Sequence, residues 1–239
     1  MIAFITSSPF REDVDRPTFS NENGFVDRIC AVLPEYPRCL YICSSPDRHD
    51  LNCRFGADIF MAFANMGIHF SGYDVLDNAN ADRAGELVQN ADLILLAGGH
   101  VPTQNAFFQK IGLKKLLENH SGVVMGISAG SMNSADVVYA QPEDPGESAS
   151  EFVRFLPGLA LTKHQILPHY QKVKHWWLDG KRLFEDITYA DSVGHTFYAL
   201  PDFSYIVDDG NTAPLYGEAY RLQDGVMEQI CMNGHAWRL

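Results

Sequence analysis

The run Gly122-Val123-Val124-Met125-Gly126-Ile127-Ser128-Ala129-Gly130-Ser131-Met132-Asn133-Ser134-Ala135 constrains this chain more than any other stretch. It reads as a short apolar strand, then Gly-x-Ser-x-Gly, then small residues suited to the first turn of a helix opening at Ser131. A serine at a sharp strand-to-helix turn is held in a strained backbone conformation, with its Oγ projecting above the sheet edge. Gly126 and Gly130 then have a steric reason, since a side chain at either place would strike the neighbouring strand or helix. The helix that follows aims its free N–H groups and the positive end of its dipole at the same point, which favours negative charge there. Ser128 is therefore a candidate nucleophile, weighed against a plain strand-helix turn.

Alternation around this run sets the fold class. Apolar segments at Met1–Thr6, Cys39–Cys43, Ile68–Leu76 and Ala91–Ala97 read as strands. Between them, Phe25, Ile29 and Val32 recur at helical spacing, and 55–66, 83–90 and 104–118 have helical length. Strands alternating with helices predict a mostly parallel central sheet covered on both faces, an α/β three-layer sandwich. Ala91–Ala97 is the most continuous apolar run and should be the central strand. Asp224-Gly225 and Asn233-Gly234 are hairpin signals, so the C-terminus should add antiparallel strands. A helix is expected over 172–185, and the acidic stretch 141–150, with Pro142, Pro145 and Gly146, reads as a mobile surface loop.

The 239 residues fit one domain spanning 1–239, because α/β domains commonly reach this size undivided. A net charge of −12 argues against nucleic acid or an anionic membrane as partner. Five cysteines without a C-x-x-C pair fit neither a disulfide framework nor a zinc site. They suit reduced thiols in a cytoplasmic protein, and the N-terminus lacks the basic flank and long apolar core of a signal peptide. Exposed hairpin edges at the C-terminus permit a homodimer.

A serine hydroxyl needs a base within hydrogen-bond reach, and the base needs an orienting acid. His169 and Asp202 each follow an apolar run and a proline, at predicted strand exits on the same edge as Ser128. Asp208 and Asp209 are rivals for the acid. His164 and His175 lie close to His169, but no Asp, Glu or Cys joins them at ligand spacing, so no metal and no cofactor is expected. Gly98-Gly99-His100 follows the central strand, and paired glycines expose backbone N–H groups suited to an oxyanion hole. The order nucleophile, histidine, acid differs from that of ordinary α/β-hydrolases, in which the acid precedes the histidine.

Ala97-Gly98-Gly99, Gly126-Ile127-Ser128-Ala129-Gly130, Gln165-Ile166-Leu167-Pro168-His169-Tyr170 and Leu200-Pro201-Asp202 fall in an order and spacing that resembles the peptidase E family of serine peptidases. That family comprises aspartyl dipeptidases and related cyanophycinases on the fold of class I glutamine amidotransferases, a flavodoxin-like architecture. The resemblance covers most of the chain. It implies Ser128 as nucleophile, His169 as base, Asp202 as the third member, and the amides of Gly99 and Ala129 as the oxyanion hole. Gly98 and His100 would border the substrate. The aspartyl dipeptidases carry Glu in place of Asp202, and a small residue in place of His100.

The expected reaction is acyl transfer from a short peptide, such as an α-aspartyl dipeptide, to water through an acyl-enzyme. A pocket for an N-terminal Asp would need a cation, for which Lys163, Lys172 and Arg154 are candidates. A glutaminase would need a cysteine at the elbow, and none is there. The alternatives are a small-molecule amide or ester hydrolase, and a non-catalytic protein of the same fold that holds a metabolite at the helix N-terminus.

Overall fold

The computed structural model describes residues 1–239. In its first half, strands β1 (Ile2–Thr6), β2 (Arg38–Ile42), β3 (Gly72–Leu76), β4 (Leu93–Leu96) and β5 (Val123–Ile127) are interleaved with helices α1 (Phe25–Val32), α2 (His49–Asn65), α3 (Ala84–Asn90), α4 (Val101–Lys110) and α5 (Leu113–Leu117). All five strands are parallel, in the order β1, β5, β4, β2, β3. β4 and β5 are buried along their whole length, which is why they read as unbroken apolar runs. The largest core cluster joins these strands to aromatic residues of the surrounding helices and loops, including Phe25, Phe60, Phe63, Phe107 and Phe108.

After β5 the chain forms a short helix α6 (Ala129–Asn133) and a two-stranded pair, β6 (Val137–Tyr139) with β7 (Phe155–Pro157). Next come β8 (Gln165–Leu167), α7 (Tyr170–Val173), a hairpin of β9 (Trp177–Leu178) and β10 (Lys181–Arg182), and α8 (Tyr189–Asp191). The chain ends with β11 (Thr196–Ala199), β12 (Tyr205–Asp208), β13 (Pro214–Tyr216), β14 (Ala219–Gln223), β15 (Val226–Cys231) and β16 (Ala236–Arg238). β12 runs antiparallel to β1, and β13 and β16 follow it, completing an eight-stranded sheet with an antiparallel edge. The α/β architecture expected from the alternation is present.

Several local expectations are corrected. α6 opens at Ala129, not Ser131. The helix expected over 104–118 is two helices, parted at Gly112, whose φ of +64° supplies a left-handed break. The helix expected over 172–185 is absent: Asp179-Gly180, both at positive φ, turns the β9–β10 hairpin there. A π-helical turn, Leu183–Thr188, follows it. Asp224-Gly225 does join a hairpin, β14 with β15, whereas Asn233-Gly234 leads from β15 into β16, which pairs with β13 in the other sheet. β8 and β11 also lie outside the central sheet. They pair in parallel within a second, four-stranded sheet ordered β15, β14, β11, β8. The stretch 141–150 is tied down: Arg154 Nη1 donates to Glu147 O at 2.6 Å, and Asp179 accepts from the Gly146 and Ser148 amides.

Candidate active site

Ser128 leaves β5 with φ 51° and ψ −111°, a conformation that L-residues rarely hold without external support. The support is visible. The Ser128 amide donates to the carbonyls of Thr6 (3.1 Å) and Ser7 (3.0 Å) at the end of β1. A Cβ on Gly126 would lie 2.6 Å from the Ser131 amide nitrogen, and one on Gly130 would lie 2.2 Å from the Leu96 carbonyl oxygen. Both glycines are needed for α6 to pack back on β5 and β4 so closely, as expected of the turn.

His169 and Asp202 arrive from the second sheet. Pro168 follows β8, and His169 takes a left-handed conformation (φ 56°, ψ 28°) at the start of α7. Asp202 follows β11 through Leu200 and Pro201. Because β8 and β11 are parallel neighbours, their exits are adjacent, and both face the exit of β5. His169 Nε2 lies 2.9 Å from Ser128 Oγ, and His169 Nδ1 lies 2.7 Å from Asp202 Oδ1. The rivals Asp208 and Asp209 are used elsewhere, in the turn before β13, where they accept the amides of Gly210, Asn211 and Thr212.

Asp202 is the most heavily supported group in the cluster. Its Oδ1 also accepts the Ser7 hydroxyl at 3.1 Å; its Oδ2 accepts Gln171 Nε2 at 2.6 Å and lies 3.0 Å from Lys172 Nζ. The Asp202 amide in turn donates to Gln171 Oε1 at 3.0 Å. Burial pushes the carboxyl group up, but the hydrogen bonds and charges of His169 and Lys172 outweigh it and hold the pKa down to about 2. The side chain is ionised throughout the range in which proteins work, so it can orient and stabilise an imidazolium.

Gly99 and Ala129 flank the serine. Gly99 has φ 145°, and a Cβ there would sit 2.4 Å from Ser44 Oγ, so glycine is required at that position. Ala129 follows the serine as the first residue of α6, and Gly99 lines the same cavity as Ser128, so their amides are the candidate oxyanion donors. Gly98 packs directly on the turn, where a Cβ would meet Ser128 Cβ at 3.5 Å. His100 is engaged by protein, with Nδ1 2.6 Å from Thr103 Oγ1 and Nε2 2.8 Å from Glu147 Oε1. His100, Asp144 and Glu147 bring ligand-type atoms within 4.8 Å of one another, but both imidazole nitrogens already have these partners. His164 is stacked edge-on against Tyr198, and no metal-type grouping includes it, His169 or His175.

A cavity of about 100 Å³ opens beside Ser128 and His169, lined also by Gly99, Val101, Glu143 and Trp176. The cations considered for an acidic substrate are all elsewhere. Lys172 stands behind the carboxylate bonded to His169, paired with Asp202 and Glu12. Arg154 pairs with Asp191 at 3.1 Å, and Lys163 borders a different cleft beside Asp208 and Arg238. Sequence reasoning missed Ser7, Gln171 and Glu143. Ser7 carried a usable signal, since it directly follows β1 on the strand edge that holds Ser128. Nothing in the sequence placed Gln171 or Glu143.

A parallel α/β sheet with a strained serine at a strand exit, a histidine bonded to it and a carboxylate bonded to the histidine is the arrangement of a serine-type hydrolase. The family model for peptidase family S51 matches residues 25–215, and the chain belongs to that family of serine-type peptidases. The fold is shared with a peptidase from an acI-B1 actinobacterium, with a TM-score of 0.64 and 18% identity over 100% of this chain and 96% of that one. It is shared equally with a putative peptidase E protein from Listeria monocytogenes EGD-e, with a TM-score of 0.61 and 17% identity over 96% of this chain and 98% of that one. No curated protein matches the sequence. No helix is long and apolar enough to cross a membrane.

Proposed function

We propose that the protein hydrolyses short peptides through an acyl-enzyme on Ser128, with His169 as general base and acid and Asp202 as its orienting carboxylate. The observation that carries this reading is the continuous chain Ser128 Oγ, His169 Nε2, His169 Nδ1, Asp202 Oδ1, at 2.9 and 2.7 Å. Ser128 Oγ attacks the scissile carbonyl while His169 Nε2 takes its proton. The amides of Gly99 and Ala129 hold the oxyanion that forms on the carbonyl oxygen. His169 then delivers the proton to the leaving amine, and water repeats the sequence to release the acid. The small cavity fits a short substrate, as in a dipeptidase. An α-aspartyl preference rests on resemblance to peptidase E. The cavity lining, which contains no Lys or Arg, does not favour it.

The test pairs wild type with Ser128→Ala. A fluorophosphonate should label the wild type alone, and a dipeptide panel containing Asp-X, neutral-X and Lys-X members should show turnover that Ser128→Ala abolishes. Equal labelling of both proteins, or no labelling and no cleavage by folded wild type, overturns the reading and leaves the metabolite-binding alternative.

A further inference from the structure

A second set of reactive side chains stands where β2 and β3 end, at the carboxyl edge of the sheet. His49 and Cys53 lie one turn apart at the start of α2, and Asp77 directly follows β3. His49 Nδ1 is 2.8 Å from Asp77 Oδ2, and His49 Nε2 is 3.6 Å from Cys53 Sγ, within reach of a thiol donor. Asp77 is fully buried and held from its other sides. Its Oδ2 also accepts Asn52 Nδ2 at 3.1 Å, and its Oδ1 accepts the Ala79 amide at 2.9 Å. Burial pushes this carboxyl group up, but the bonds from Asn52, Ala79 and His49 outweigh it and hold the pKa below the ordinary carboxylate value. An ionised Asp77 can only accept. The proton of a neutral His49 therefore sits on Nδ1, and the lone pair of Nε2 faces the Cys53 thiol. A structural tie between α2 and the turn after β3 would need only the bond from His49 to Asp77, and gives no reason for a thiol at the other nitrogen. Of the five cysteines Cys53 alone is exposed, and the His49 side chain beside it is 56% exposed. Burial pushes the other four thiols up, that of Cys43 to about 12. The nearby charged residues Asp47, Arg48, Asp50, Arg54 and Asp82 are exposed, as is Lys110 of α4, which reaches Asn78 of the same turn.

We propose that Cys53 is a modification site: a nucleophilic thiol, with His49 as its base and Asp77 as the residue positioning that base, which exchanges with low-molecular-weight disulfides. His49 Nε2 takes the proton of the Cys53 thiol, and the thiolate attacks one sulfur of the incoming disulfide. A bond forms between Cys53 Sγ and that sulfur, and the original S–S bond breaks. The leaving sulfur departs with the electron pair and takes the proton held by His49, so one disulfide and one thiol give one mixed disulfide and one small thiol. The small disulfide is the oxidant, and the thiol it releases is its reduced half. The remaining cysteines are buried or half-buried, so the adduct should persist until an external thiol attacks it. Nothing in this step involves Ser128, and the site stands whether or not the peptidase reading does.

The test follows the mass of the intact protein in glutathione disulfide, with peptide mapping of the adduct. Wild type should gain one glutathione, on Cys53, removed by dithiothreitol and not gained by Cys53→Ser. His49→Gln, at an exposed position, should slow the exchange about tenfold at pH 7, where an unassisted thiol is only a few per cent ionised. Asp77→Asn should slow it similarly. The Ala79 amide keeps the asparagine oxygen, the NH2 turns toward His49 Nδ1, and the imidazole proton moves to Nε2, where it faces the thiol. A pH profile separates activation from a change in access. Above pH ~10 any exposed thiol ionises unaided, so wild type and the variants should converge to within about twofold. Asp77 is buried, and where Asp77→Asn does not fold, His49→Gln decides alone. First reaction at another cysteine overturns the inference, as does an equal rate in wild type and His49→Gln at pH 7, or a rate difference that persists at pH ~10.

Discussion

Ser7 joins the two halves of the site: its Oγ donates to Asp202 Oδ1 at 3.1 Å and accepts the His169 amide at 2.8 Å. Its own carbonyl accepts the Ser128 amide at 3.0 Å. A fully buried residue at the end of β1 therefore touches the serine, the histidine and the acid, which come from two different sheets. Ser7→Ala should leave the His169 amide without its acceptor and Asp202 with one donor fewer. Loss of a hydrogen bond to a charged group costs about 1.5–3 kcal/mol, and part of that should appear in stability and part in catalysis. We expect kcat/KM to fall about tenfold or more, with little change in KM. Steady-state kinetics with a denaturant titration check it, and a KM effect without a kcat effect would count against a positioning role for Ser7.

Asp202→Asn should be far more damaging than its near-isosteric shape suggests. Every neighbour of the Asp202 side chain is a donor: His169 and Ser7 at Oδ1, Gln171 and Lys172 at Oδ2. The amide NH2 of an asparagine must face one of these pairs. The Lys172 ammonium cannot accept, so the NH2 turns toward His169 Nδ1, which can. His169 then carries its proton on Nε2, pointing at Ser128 Oγ, and is no base. A loss in kcat of about 10⁴ is the scale expected for that tautomer. The measurement is kcat alongside the melting temperature; a loss below tenfold in a well-folded variant would show that the carboxylate is not the orienting group.

Much of this site was legible in the sequence because each element carries a local signature. The Gly-x-Ser-x-Gly turn needs glycines wherever a Cβ would strike backbone, and the two Pro-punctuated strand exits announced His169 and Asp202. The parallel strands were equally plain, since β4 and β5 are buried on both faces and so consist almost wholly of apolar residues. Partition into two sheets was not legible, because β8 and β11 have the same local pattern as a strand of the main sheet, and only long-range pairing separates them. The helix expected over 172–185 failed for a local reason. Asp179-Gly180 is a hairpin turn signal, and the aromatic pair Trp176-Trp177 begins the hairpin instead of lying along a helix. The place of Glu143 in the cavity lining was hidden because it depends on which loop closes over the serine, and an acidic, proline-containing loop looks the same when it is only solvated.

Lys172→Met tests the charge behind the acid, and its sign depends on pH. The folded Asp202 pKa of about 2 lies below the ordinary carboxylate value of about 3.9. The ionised form therefore adds stability above pH ~4, and that stability is lost as pH falls through 4 toward 2. Removing Lys172 raises the folded pKa and shrinks this contribution. Lys172 is 40% exposed, so solvent screens the pair, and the effect at neutral pH should be about 1 kcal/mol or less. The difference between wild type and variant should be largest above pH ~5 and should close by pH ~2. Denaturant titrations at pH 7 and pH 3 measure it, and a gap that widens on acidification would contradict the assignment.

The two glycine positions on either side of the serine should fail differently when given a methyl group. In Gly130→Ala the new Cβ meets backbone, 2.2 Å from the Leu96 carbonyl oxygen, in a region where β4, β5 and α6 are all buried. No side chain can move aside, so the contact between helix and sheet must open, at a cost of about 3 kcal/mol or more. In Gly99→Ala the obstacle is the Ser44 side chain, 2.4 Å from the new Cβ at Oγ, together with a φ of 145° that alanine resists. The backbone at Gly99 should rotate, carrying its amide away from the oxyanion. Removal of one such donor costs about 10²–10³ in kcat. Gly130→Ala is thus expected to appear first as lost stability, and Gly99→Ala as lost turnover in a protein that still melts cooperatively. Ser44→Gly in the Gly99→Ala background relieves the contact but not the φ strain, so it should restore activity only in part. Full restoration would mean that the steric contact alone, and not the backbone conformation, sets the position of the Gly99 amide.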